Sequence, residues 1–216
     1  MPVQFDLLAD LSSDGGEMQI SAAVPIEDFI KIRPAGGFGL IMADPPWLFE
    51  VRSEAGIDKS PQAQYECQDL DWIKSLPVSA LAAEDCLLWL WATWPMLPQA
   101  LEVIEAWGFE FKTGGDWVKR TESGKLTFGT GYLLRSSSEP YLLATRGSPK
   151  TTKSTRSTIE GLRRAHSEKP EEAFKAAEAL MPDAQRLELF SRRTRPGWSA
   201  WGDQVGLLND KEKPNG

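Results

Sequence analysis

Histidine and cysteine are nearly missing from this chain: 216 residues hold one histidine, His166, and two cysteines, Cys67 and Cys86. Two cysteines cannot build a disulfide scaffold, and these two are not spaced as metal-ligand pairs. Cys86 lies inside Cys86-Leu87-Leu88-Trp89-Leu90-Trp91 and is read as a core residue. His166 has no Cys or second His beside it, so no metal site is expected. No Gly-x-Ser-x-Gly elbow accompanies it either, which removes serine hydrolysis. His166 is read as orienting the turn before Lys169-Pro170 or touching a cofactor. No apolar run reaches membrane-spanning length, and the N-terminus lacks a basic region followed by an apolar one. A reducing cytoplasm and no membrane partner are the expectation. No Gly-x-Gly-x-x-Gly fingerprint is present. Gly36-Gly37-Phe38-Gly39 precedes its strand and reads as a turn.

Positive charge is scarce at one end only. The net charge is −7, and residues 1–30 carry six acids with no Lys or Arg. Residues 146–164 reverse this, with Arg146, Lys150, Lys153, Arg156, Arg163 and Arg164 against Glu160 alone. A phosphate backbone responds to local basic surface more than to the whole-chain sum. The stretch is therefore a candidate nucleic-acid contact, with a solvated basic loop as the alternative.

Residues 1–24 read as a poorly specified lead-in, 25–208 as one domain and 209–216 as a frayed tail. Within the domain, 38–43, 87–92, 109–118 (interrupted at Gly114-Gly115), 141–145 and 186–190 read as strands. Residues 24–30 suggest a short helical turn. The 70–83 stretch reads as two helical pieces split at Pro77, and helices begin near Pro98 and Pro170. Alternation of this kind predicts an α/β chain, a mostly parallel sheet covered on both faces. Residues 50–68 are polar, broken by Gly56 and Pro61, and suit a loop beside a site.

The chemistry concentrates at Asp44-Pro45-Pro46-Trp47, directly after the apolar run 38–43. Open α/β sheets bind ligands outside the carboxyl ends of their strands. Two prolines restrict the backbone and remove two N–H donors, leaving carbonyls toward the site. A carboxylate, fixed acceptors and a flat indole together suit the exocyclic amine of a base. Trp47 is expected to stack on that base, with plain cover of the core edge as the alternative.

This tetrapeptide, followed in order by Leu88-Trp89-Leu90-Trp91-Ala92-Thr93, Trp117-Val118-Lys119, Lys169-Pro170, Leu187-Glu188-Leu189-Phe190, Gly197-Trp198 and Gly202-Asp203-Gln204, resembles the MT-A70 family of adenine N6-methyltransferases. The likeness covers roughly residues 36–206. It implies a Rossmann-like methyltransferase fold in permuted motif order, S-adenosylmethionine as cofactor, and DNA as the preferred partner because the chain is compact. Asp44, Pro45, Pro46 and Trp47 would be the catalytic stretch. Asp44, Lys169, Arg192, Asp203 and Gln204 would meet the cofactor, Lys169 near the methionine carboxylate and Arg192 near the ribose. Trp47, Tyr65 and Glu139 would meet the target nucleoside, and Arg163 with Arg164 the phosphates.

Three departures accompany the likeness. Asp203 stands where the family often has Asn, and an ionised Asp cannot donate a hydrogen bond. Residues 135–138 lack the histidine often found before the acid, and the loop keeps Tyr65 without the usual tyrosine-proline-threonine run. RNA adenine, cytosine N4, and a non-catalytic nucleic-acid-binding member of the same fold stay open as alternatives.

Overall fold

Strand β1 (Phe38–Ala43) is the axis of the molecule, since its alternate side chains enter two separate cores. The structure is a computed structural model that describes residues 26–48, 68–131, 133–163, 168–202 and 205. The lead-in over 1–24, the tail over 209–216, Tyr65, Arg164, His166, Asp203 and Gln204 lie outside the described residues, as does nearly all of the 50–68 loop.

The described elements run α1 (Ile26–Lys31), β1, α2 (Leu70–Ser75), α3 (Val78–Leu81), β2 (Ala82–Trp91), α4 (Leu97–Ala106), β3 (Glu110–Arg120), β4 (Ser138–Arg146), β5 (Thr158–Leu162), α5 (Glu171–Leu180), β6 (Arg186–Leu189) and β7 (Trp198–Trp201). The strands form one sheet in the order β5-β3-β4-β2-β1-β6-β7. β1 pairs in parallel with β2 and β6, β6 with β7, and β3 with β5, while β4 runs antiparallel to β2 and β3. The expected α/β class and mostly parallel sheet are therefore present.

Helices lie on both faces. Ile41 and Ala43 point to one core, closed by Phe29 of α1, Ile73 of α2, Leu81 of α3, Val103 and Ile104 of α4, and Trp107 just after it. Leu40 and Met42 point to the other, closed by Ala173, Phe174, Ala177 and Leu180 of α5. Local chemistry sets the helix ends. The Asp69 carboxylate accepts the Trp72 N–H at 2.7 Å to start α2, and Pro77 separates it from α3. Pro170 precedes α5, with Glu171 and Glu172 at its positive end.

Three expectations about strands change. β3 is continuous through Gly114-Gly115, because glycine is what lets its neighbours approach. A Cβ at Gly115 would stand 2.0 Å from the Ser157 carbonyl oxygen, and one at Gly114 2.7 Å from that of Tyr141. The 146–164 segment contains a strand, β5, whose alternate residues Ile159 and Gly161 are buried. β7 adds a further parallel strand at 198–201, so Trp198 packs in the second core and Trp201 against the first.

Beneath the carboxyl edge the second core is aromatic. Trp89 stacks on Tyr141 at 4.1 Å between centroids, and Trp91 meets Tyr141 and Trp117 edge-on. Such pairs contribute about 0.5–1.5 kcal/mol each beyond area burial, and they give the site a stiff floor.

Candidate active site

Parallel register sets the position of Asp44. Ala43 pairs with Leu90 of β2 and Leu189 of β6, so Asp44 is the first residue past the central strand, its N–H directed at the Leu189 carbonyl (3.4 Å). The two prolines then turn the chain over the sheet end. The Pro45 carbonyl accepts the Trp47 N–H at 2.8 Å, and that of Pro46 accepts the Gln68 N–H at 2.9 Å. A carbonyl has two lone pairs, so among the described residues each has one acceptor position beyond that bond.

Trp47 is not an open platform. The ring is 5% exposed, belongs to the first core, and donates its indole N–H to the Trp91 carbonyl at 3.2 Å. Of the two roles expected for this indole, stacking on a base or cover of the core edge, the packing observed is that of the second. The indole pins the tetrapeptide to the end of β2, which fixes the direction of the Asp44 and Pro45 acceptors. Trp94, just past β2, is the half-exposed indole at this edge of the sheet.

Asp44 stands in a chain of four charges. The Lys169 ammonium, immediately before α5, is 2.7 Å from Asp44 Oδ2 and 2.7 Å from Glu139 Oε1. Glu139 Oε2 is in turn 2.7 Å from Lys119 Nζ. Sheet pairing brings these together, because Glu139 of β4 lies opposite Trp117 of β3, two residues before Lys119. Lys169 also lies 5.4 Å over the Trp91 ring and Lys119 4.6 Å over Trp117, so both cations sit on the aromatic floor.

The charges act on one another. Burial pushes the Asp44 carboxyl above its ordinary range, Lys169 pulls against it, and Glu139 adds to the rise. Burial also works to raise Glu139, but Lys169 and Lys119 together outweigh it and hold that carboxyl low. For Lys169, burial opposes the charge and the two carboxylates overcome it, keeping the ammonium protonated. The two acids are thus pushed in opposite directions, Asp44 up and Glu139 down. Lys169, expected to face a methionine carboxylate, is here held between two side-chain carboxylates.

Next to Asp44 opens a cleft lined among others by Lys169, Glu188, Phe190, Arg192 and Arg195. Arg192 lines this cleft together with Asp44. The loop carrying it is braced by ion pairs from Arg193 to Glu168 and Glu171 and from Arg195 to Glu171. Phe190 takes φ +63°, a strained value for an aromatic residue, at the turn off β6. Glu188 extends from β6 into the cleft with one buried carboxylate oxygen, Oε2, lacking a hydrogen-bond partner. Burial pushes this carboxyl up to about 7. Gly202 lets the chain close over this turn, since a Cβ there would stand 2.8 Å from the Ser191 carbonyl oxygen.

Asp44, Pro45, Pro46, Lys169, Arg192 and Glu139 are therefore gathered at one edge, with Trp47 beneath them. Arg163 lies exposed just past β5, its N–H bonded to the Arg120 carbonyl at 2.8 Å. Sequence reasoning missed Lys119 and Glu188 as site residues. The one signal for either was its place in a motif, Trp117-Val118-Lys119 and Leu187-Glu188-Leu189-Phe190. No His/Cys/Asp/Glu group able to hold a metal occurs among the described residues.

A central-strand acid at the carboxyl edge, two prolines behind it and a polar cleft beside it define the class: an α/β methyltransferase fold. Residues 38–204 match the MT-A70 family, and the chain belongs to it. It is 27% identical over 200 residues to the type II methyltransferase M.MunI of Mycoplasma sp, a match covering 84% of this chain and 83% of that one. It is 32% identical to an N(6)-adenosine-methyltransferase MT-A70-like protein of Arabidopsis thaliana, over 81% of this chain and 25% of the relative. It is 30% identical to the human N(6)-adenine-specific methyltransferase METTL4, over 86% of this chain and 40% of the relative. The chain thus spans most of the first relative and less than half of each of the other two.

Proposed function

We infer that this protein is an S-adenosylmethionine-dependent methyltransferase acting on the N6 amine of adenine. The observation that carries the reading is Asp44 and the Pro45 carbonyl fixed side by side beyond the central strand, beside a polar cleft. Membership of the MT-A70 family and its likeness to N6-adenine methyltransferases support it.

The cleft residues fit the cofactor. Glu188 Oε2, buried without a partner, suits a hydroxyl donor such as a ribose. Arg192 lines the same wall, and Lys169 supplies a cation at its Asp44 end. When bound, S-adenosylmethionine supplies an electrophilic sulfonium methyl. The chain's own residues do the rest. An adenine amine is a poor nucleophile because its lone pair is delocalised into the ring. Asp44 and the free lone pair of Pro45 accept its two N–H hydrogens and orient the nitrogen. Positive charge develops there only as the bond forms, so both acceptors favour the transition state over the ground state. The raised basicity of Asp44 gives the released proton a place to go. Lys169 and Lys119 hold Glu139 ionised, an acceptor for a further group of the nucleoside. With Trp47 buried, Trp94 is the indole at this edge able to meet a base face.

DNA is the proposed substrate, in a reducing cytoplasm. The type II methyltransferase M.MunI is matched over 83% of its length, whereas the adenosine methyltransferase MT-A70-like protein from Arabidopsis is matched over a quarter. The test is nucleoside analysis after incubation with labelled S-adenosylmethionine and either DNA or RNA. N6-methyldeoxyadenosine from DNA is the expected product. Label in N6-methyladenosine from RNA would move the substrate, and label in N4-methylcytosine would overturn the target base.

A further inference from the structure

The loop joining β3 to β4 carries the most exposed apolar side chains among the described residues. Phe128 is 80% exposed, Leu133 87% and Leu134 84%. It is a built feature. The Gly129 N–H bonds the Ser136 carbonyl at 2.9 Å and the Ser136 N–H bonds the Thr130 carbonyl at 3.2 Å, closing a narrow neck. Only glycine fits that neck: a Cβ at Gly129 would lie 2.6 Å from the Ser136 oxygen, and one at Gly131 1.9 Å from that of Leu134.

The loop is rooted in the site. The Thr127 N–H bonds the Lys119 carbonyl at 3.0 Å, and the Lys119 N–H bonds that of Ser137 at 2.8 Å. Lys119 is the residue whose ammonium holds Glu139. Phe128 therefore follows directly on a residue hydrogen-bonded to the catalytic edge. Charge in this region opposes the acidic chain: of the four cations in residues 119–135, Lys119 pairs with Glu139 and Arg120 with Glu160, which leaves Lys125 and Arg135 against Glu122. The Arg135 guanidinium carbon lies 5.4 Å over the Phe128 ring. An open aromatic face with a cation on it, in a basic surround, is the combination that grips a base and its phosphate. A purely apolar docking patch would not carry this charge.

We propose that the β3–β4 loop is a nucleic-acid contact, Phe128 stacking against a base beside the target and Arg135 holding the adjoining phosphate. This rests on the reading of the site as one that acts on nucleic acid. Leu133 and Leu134, at the tip, press on the strand as apolar wedges do where a base must leave its stack.

The test is fluorescence anisotropy of adenine-containing single-stranded and duplex DNA with the full chain over a salt series. Phe128→Ala is expected to weaken binding about tenfold. Arg135→Ala is expected to lower the slope of log affinity against log salt by about one. Phe128→Tyr and Arg135→Lys should recover most of each loss. Because these side chains are exposed, melting temperature and S-adenosylmethionine binding should not move, and both are measured on the same samples. Unchanged affinity and slope in the Phe128→Ala/Arg135→Ala protein would overturn the proposal. So would self-association, seen by sedimentation, that Leu133→Ser/Leu134→Ser abolishes with DNA affinity intact, which makes the loop a protein interface. DNA binding through the loop without any methylated adenine would overturn the reaction and leave the loop. Normal methylation and affinity in the doubly substituted protein would do the reverse.

Discussion

Replacing Lys169 with methionine keeps the aliphatic stem and removes the cation that Asp44 and Glu139 share. Lys169 is 9% exposed, Glu139 16% and Asp44 27%, so the carboxylates left behind are poorly solvated. Removing one partner of a buried pair costs about 3–5 kcal/mol. Glu139 keeps Lys119 at 2.7 Å and Asp44 retains some access to water, which puts the expected loss at the lower end, about 3 kcal/mol at neutral pH. The pH dependence has a definite sign. Without the cation, Asp44 and Glu139 gain affinity for protons in the folded state relative to the unfolded one. An acid raised in this way contributes stability at low pH that is lost as pH rises through its folded value. The deficit of Lys169→Met should therefore shrink toward about pH 5, and adding Asp44→Asn should recover part of it at neutral pH. Urea denaturation of the three proteins across pH reads all of this. A loss below about 1 kcal/mol that does not change with pH, the behaviour of an exposed pair, would refute the shared-cation geometry.

Glu188→Gln tests the cleft wall. Burial holds the Glu188 carboxyl at about 7, so the folded chain keeps a proton that the unfolded chain releases between its ordinary carboxyl range and neutrality. Wild-type stability from this group is complete at acid pH and falls as pH rises to about 7. The glutamine variant should lose that slope and gain on the order of 3 kcal/mol at most above neutrality, read by thermal melts; parallel profiles would contradict it. Trp47→Ala and Trp94→Ala separate packing from stacking. The first should lose about 3–5 kcal/mol in denaturant, and the second should keep its stability and weaken DNA binding. The opposite pattern would return the stacking role to Trp47. Arg163→Ala with Arg164→Ala should weaken DNA binding more than cofactor binding and reduce the salt slope by about two, and affinity unchanged across salt would remove the pair from the interface.

What the sequence made legible follows from where its signals were local. Phe38 to Ala43 is six residues with no charge, ended by an acid, so both the strand and its functional end could be read at once. Pro77, Pro98 and Pro170 marked helix boundaries for the same local reason. β5 escaped because Thr158-Ile159-Glu160-Gly161-Leu162 is an edge strand inside a basic stretch, and its alternation is buried at only two positions. Lys119 escaped because a lysine near a strand end reads as a solvated residue; only β3–β4 register sets it against Glu139. Glu188 likewise gains its meaning from the burial around β6. Trp47 fitted stacking and packing equally well on sequence. A single tertiary fact decides it, the indole N–H donated to the Trp91 carbonyl forty-four residues away.

The central claim is that the Asp44 carboxylate receives the amine of the base. Its most direct measurement is single-turnover methyl transfer by Asp44→Ala and Asp44→Asn proteins, with labelled S-adenosylmethionine and DNA. The rate should fall by about two to three orders of magnitude while S-adenosylmethionine binding and the folded signal persist. Transfer by the alanine protein at the wild-type rate would contradict the account.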